Sequence, residues 1–92
     1  MRYLTSAHPD LVLKAMLEGD PYPVRALIVE ATNPLVTYAD THRVFAALSS
    51  LDLLVVIEYY MTPTASLADY VLPAAGAVER PTFQAHGGVA NI

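Results

Sequence analysis

Cysteine is missing from all 92 residues. Disulfides, thiolate metal sites and iron–sulfur ligation are therefore excluded within this stretch. Positive charge is also scarce: five Lys and Arg against nine Asp and Glu leave a net charge of −4. The five basic residues are scattered, so the phosphate-backbone footprint of a nucleic-acid-binding protein is absent. No apolar run reaches the roughly 18 residues of a membrane span. The first ten residues, MRYLTSAHPD, contain no apolar h-region, and no signal peptide is expected. Neither G-x-x-x-x-G-K-[ST] nor G-x-G-x-x-G occurs, which removes the P-loop and the standard dinucleotide fingerprint. His8, His42 and His86 stand far apart without metal-ligand spacing. No nucleophile, base and acid assemble into a set, so no catalytic and no metal-binding residue is assigned.

Against these absences stands an apolar surplus, with 54% of residues hydrophobic. A single domain of this length buries only about 60–70% of its unfolded surface. Either both faces of a sheet are covered, or apolar surface meets a partner: the remainder of a larger chain, or a second copy in a homo-oligomer.

The pattern along the chain is α/β. A first helix starts at Pro9, presents Val12, Leu13, Met16 and Leu17, and ends at Gly19, where a left-handed residue costs little. Residues 24–30, VRALIVE, read as a strand whose near-continuous apolar run predicts burial on both faces of a parallel sheet. ATNP, 31–34, is a turn, since Asn33 before Pro34 disfavours helix. A second helix is expected over about Ala39 to Leu48, capped by Asp40 or Thr37, with Val44, Phe45 and Leu48 inward. LDLLVVIE, 51–58, is the second strand, about Pro63 to Asp69 the third helix, and YVLPA, 70–74, the third strand. Strand, helix, strand, helix, strand gives a three-layer Rossmann-like βαβαβ unit with a short parallel sheet and right-handed crossovers. Both sheet edges would be open, as in a piece of something larger. Residues 1–80 are read as the α/β unit and 81–92 as a loop or flexible tail.

In open α/β sheets, ligands bind beyond the carboxyl ends of the strands. That rule selects Thr32 and Asn33 after the first strand, and Glu58, Tyr59, Met61 and Thr62 after the second. Glu58 is the sharpest of these. A carboxylate ending a buried strand needs donors or water, and a guanine edge offers two adjacent N–H donors to its two oxygens; the plainer alternative is a solvated side chain. Thr62-Pro63 is a good helix start whose N–H groups could hold an oxygen ligand, with ordinary capping the commoner outcome. Asn33 can bond a ligand or close its own turn. Asp69 is expected to end the third helix or pair locally, and Glu79-Arg80 to form a solvated pair.

ATNP after a strand, then LLVVIEYYMTPTASLADYVLPA, then Glu79, in that order, resemble an internal stretch of the large molybdopterin oxidoreductases, the dimethyl sulfoxide reductase superfamily. The resemblance covers about Ala15 to Glu79. It implies a nucleotide-binding-like domain gripping one guanosine of a bis(molybdopterin guanine dinucleotide) cofactor that carries Mo or W. By position, Thr32 and Asn33 would line the cofactor loop, Glu58 would stand where the family usually has Asp on the guanine, and Thr62 and Thr64 would hydrogen-bond nearby. Ala31 occupies a place where the family commonly has Gly. On this reading the segment binds cofactor without being catalytic by itself, its partner is the remainder of the catalytic subunit, and the activity belongs to that parent oxidoreductase. The alternative is a freestanding α/β interaction or dimerisation module that binds no cofactor.

Overall fold

The apolar runs of the sequence become strands. Ala26–Glu30 form β1, Leu53–Glu58 β2 and Tyr70–Pro73 β3, in one parallel sheet of order β1-β2-β3. The computed structural model describes residues 6–76, 78–79, 84–86 and 89–91, the last two stretches by their backbone alone. Helices α1 (Pro9–Glu18), α2 (Pro34–Thr37), α3 (Thr41–Ser49) and α4 (Pro63–Ser66) complete a helix followed by a βαβαβ unit. The α/β, Rossmann-like reading of the sequence is thus the observed architecture.

Local chemistry sets the helix ends. Pro9 opens α1, the His8 ring accepts the Asp10 N–H, and Gly19 closes the helix at φ 69°, donating to the Ala15 carbonyl. Just beyond, Lys14 and Asp20 pair at 2.8 Å; the hydrogen bond that the Lys14 ammonium donates to the Asp20 carboxylate holds the Lys14 pKa above the ordinary amine value. Asp40, not Thr37, caps α3 by accepting the Arg43 N–H. Thr37 instead belongs to α2, a single turn that the turn reading of 31–34 did not anticipate. Asn33 itself stays non-helical, as a residue before proline should, but Pro34 behind it serves as a first helical residue.

Side chains alternate along each strand. Leu54 and Val56 of β2, with Leu27 and Val29 of β1 and Val71 of β3, face the helices and pack with Leu13, Val44, Ala47, Leu48 and Ala65. Two expected inward residues turn out otherwise. Phe45 is 49% exposed and Leu17 40% exposed, because the inner stripes run through Val44, Ala47 and Leu48 in α3 and through Leu13 and Ala15 in α1.

The opposite sheet face is bare among the described residues. Ile28 is 68% exposed, and Leu53, Tyr70 and Leu72 are also exposed. Burial on both faces, expected from the continuous apolar runs, is therefore corrected: of three layers, the described residues supply the sheet and one helical layer. The reason is topological. The strand order steps in one direction, so two right-handed crossovers deliver their helices to the same face. Beyond the unit, Gln84–His86 (β4) and Val89–Asn91 (β5) pair antiparallel, where the sequence read as a loop or tail.

Ala31 follows β1 at φ 56°. This left-handed conformation costs an L-residue with a Cβ roughly 1–2 kcal/mol. Glycine would relieve it, while adding about 0.5–1 kcal/mol of unfolded-state entropy to be lost. Ala31→Gly is therefore expected to raise stability by about 0.5–1 kcal/mol, read as a higher urea midpoint at unchanged slope. A lower midpoint would contradict the strain.

Candidate functional site

The rim at the carboxyl ends of β1 and β2 gathers the polar residues singled out above. Glu30 pairs with Ile57, so Asn33 and Glu58 follow neighbouring strands at one end of the sheet. The opposite end is closed by the Arg25–Asp52 ion pair and by the Asp52 N–H bonding the Arg25 carbonyl at 2.8 Å.

Glu58 shares the strand parity of Leu54 and Val56 and points to the helical side of the sheet. It is half-buried. Its Oε1 accepts the Tyr59 N–H at 2.8 Å, and its Oε2 has no hydrogen-bond partner among the described residues. That local bond fixes the carboxylate at the strand end and leaves one oxygen for another donor.

The loops after β1 and β2 are joined by a direct bond. The Thr64 hydroxyl donates to Asn33 Oδ1 at 2.5 Å and accepts the Leu35 N–H at 3.1 Å. Thr64 is fully buried, so it meets the rim through Asn33 and not through its own surface. The Asn33 amide nitrogen has no partner among the described residues. Thr62 behaves as an ordinary cap, its Oγ1 accepting the Ala65 N–H at 3.1 Å, and its hydroxyl proton has no acceptor among the described residues. Thr32 is exposed and lines a cavity of about 360 Å³ with Leu27, Glu30, Pro34 and Tyr38 beside α1. Thr32, Glu58 and Thr62 make no mutual hydrogen bond among the described residues.

Three exposed residues, Tyr59, Tyr60 and Met61, crown the end of β2. The two tyrosine rings meet edge to face at 6.5 Å. Beyond them, Glu79 accepts the Gly76 N–H at 2.6 Å, closing its own turn; the pair expected with Arg80 lies outside the described residues. The sequence did not single out Asp69 as a long-range partner. Its Oδ2 accepts the Leu54 N–H at 2.8 Å, and its own N–H donates to the Leu54 carbonyl at 2.9 Å. Nothing in the sequence around Asp69 marks this, because the partner is a backbone group 15 residues earlier. No cluster of three or more metal-ligating side chains occurs among the described residues, and no helix there is long and apolar enough to cross a membrane.

Comparison with known proteins identifies the family. The family described as molybdopterin oxidoreductase matches residues 6–87. Acetylene hydratase of Syntrophotalea acetylenica is 44% identical over 78 residues, 85% of this chain and 11% of that protein. The alpha subunit of an F420-dependent formate dehydrogenase of Methanococcus maripaludis is 43% identical over 72 residues, 78% of this chain and 10% of the subunit. The solved structure of acetylene hydratase from Pelobacter acetylenicus superposes with a TM-score of 0.82 at 43% identity, covering 86% of this chain and 11% of that one. The chain thus spans about a tenth of the length of the curated relatives it matches. It belongs to the molybdopterin oxidoreductase family, whose members work with a molybdenum or tungsten pterin cofactor.

Proposed function

We propose that this segment helps to hold the guanosine end of a molybdopterin guanine dinucleotide within a larger oxidoreductase, and that it binds and orients without itself being catalytic. The observation that carries this reading is the Thr64–Asn33 hydrogen bond, which ties two loops into one rim beside Glu58. The donor set fits the group. Glu58 offers an unengaged carboxylate oxygen to a guanine N–H edge. Asn33 offers an amide N–H, and Thr62 a hydroxyl proton, to nucleotide oxygens. Exposed Thr32 borders the same loop. Glutamate reaches one methylene further than the aspartate usual in the family, which moves the contact outward from the strand end. When bound, the cofactor's metal supplies the redox chemistry, and the protein supplies position and electrostatics. On this reading residues 1–80 are the cofactor-binding unit, and the remainder of the catalytic subunit is its partner.

The test uses the full-length protein that carries this segment. Glu58→Gln exchanges an acceptor for an amide donor facing guanine donors, and should speed loss of the guanine nucleotide by about ten- to a hundredfold, since a charge-assisted bond of this kind contributes on the order of 1.5–3 kcal/mol. Guanine released by acid denaturation, counted per polypeptide after dialysis, reports it. Retention equal to wild type would remove the charged contact.

The bare face around Ile28, Tyr70 and Leu72 favours one second reading, an interaction or dimerisation module without cofactor. That reading expects no guanine in the purified protein and a dimer in sedimentation that Leu72→Glu dissolves.

A further inference from the structure

We infer that Thr64 is a positioning residue that fixes which way the Asn33 amide faces, so that the rim offers an N–H donor and withholds the amide carbonyl. The inference rests on the cofactor-binding reading above and specifies the polarity of that site.

A hydroxyl has one proton and two acceptor positions. In Thr64 the backbone already occupies one acceptor position: the Leu35 N–H donates to Oγ1 at 3.1 Å. A peptide N–H cannot reverse its role, so the hydroxyl proton must find an acceptor elsewhere. It finds Asn33 Oδ1 at 2.5 Å. Turning the Asn33 amide over would bring its NH₂ against Oγ1. The oxygen could then accept twice, but its proton would have no acceptor among the described residues. Thr64 is 0% exposed, so water would not rescue it, and an orphaned buried donor carries the full desolvation penalty. The network therefore settles an orientation that an isolated asparagine leaves open.

Direction runs outward from the backbone: Leu35 N–H to Thr64 oxygen, Thr64 proton to Asn33 oxygen, Asn33 nitrogen to the rim. The group that completes this relay is an acceptor, a phosphate, ribose or carbonyl oxygen of the bound nucleotide. Glu58 supplies an acceptor on the neighbouring strand. The Asn33 amide thus adds a donor position beside the Glu58 acceptor, and a ligand must carry the opposite pair in matching order.

Four variants of the full-length protein test this, with guanine per polypeptide after dialysis as one readout and the thermal midpoint as the other. Asn33→Asp keeps an oxygen for the Thr64 proton but removes the outward donor; it should lose nucleotide about tenfold faster. Thr64→Val removes the relay at nearly constant volume and should speed loss several-fold, while Thr64→Ser, which keeps the hydroxyl, should retain nucleotide as wild type does. Combining Thr64→Val with Asn33→Asp should add nothing to Asn33→Asp alone, since both act through one amide. A lower midpoint for Thr64→Val with unchanged nucleotide retention would make Thr64 a packing residue and overturn the inference. So would wild-type retention in Asn33→Asp when Glu58→Gln loses nucleotide, an outcome that leaves the cofactor-binding reading standing. Wild-type retention in Glu58→Gln together with Asn33→Asp would overturn both.

Discussion

Leu54→Ala is expected to cost about 2–5 kcal/mol of stability, the range for truncating a fully buried aliphatic side chain. Leu54 is 1% exposed and among the largest fully buried side chains of the molecule. It sits on the central strand, opposite Leu27 of β1, and its side chain belongs to the cluster with Val44, Leu48 and Ala65. The same cluster takes side chains from three helices, Leu13 of α1, Val44, Ala47 and Leu48 of α3 and Ala65 of α4, so no single helix can shift to fill the space. Part of the cost is lost transfer energy and part is the cavity that remains. Leu54→Met, which conserves volume, should cost under about 1.5 kcal/mol. Urea unfolding of both variants checks the pair. A cost below 1 kcal/mol for the alanine variant would mean that the two-layer core collapses freely, contrary to its packing.

Asp69→Ala should cost about 1.5–3 kcal/mol, as expected for a charge-assisted hydrogen bond whose partner is left without a replacement. β3 starts pairing only at Tyr70, opposite Val55. One residue earlier the ladder is continued by a side chain: Asp69 Oδ2 takes the Leu54 N–H, and the Asp69 N–H goes to the Leu54 carbonyl. Alanine keeps the second bond and abolishes the first. Asn keeps a carbonyl oxygen at the same place, so Asp69→Asn should cost less than half as much. Equal losses in the two variants would assign the effect to charge elsewhere. Amide hydrogen exchange at Leu54 gives a local reading, with faster exchange expected in Asp69→Ala than in Asp69→Asn.

The strands and their order were legible because each is an apolar run bounded by proline, glycine or a charged residue. The end of α1 at Gly19 was legible for the same local reasons, and the α3 cap was narrowed to Asp40 or Thr37, of which Asp40 serves. Phe45 was not, because a nine-residue helix leaves two neighbouring stripes open and only the sheet beneath decides between them. The covering of both faces was misread because a continuous apolar run states that a strand meets apolar neighbours, and does not state which chain supplies them. In the rim, the nearness of Asn33 and the Thr62–Thr64 loop followed from parallel strand order, but the burial of Thr64 did not. That depends on how α4 lands on the sheet. Asp69 was out of reach because a side chain that serves a distant backbone group leaves no spacing signal. The tail carried one usable hint: Gly87-Gly88 between two short runs is a hairpin signature, and β4 and β5 flank it.

The one-way march of β1, β2 and β3 has a consequence for how such a site is finished. Adding another βα step after β3 would thicken the side already clothed and leave the other naked. Only a chain that returns to the free margin of β1 and winds away from it can lay helices on the naked side. Such a reversal opens a cleft between diverging connections, the place where doubly wound sheets seat their ligands. The residues beside that margin are Ala31, Thr32 and Asn33, so the turn that would finish the sandwich and the turn that would wall the nucleotide seat are one and the same.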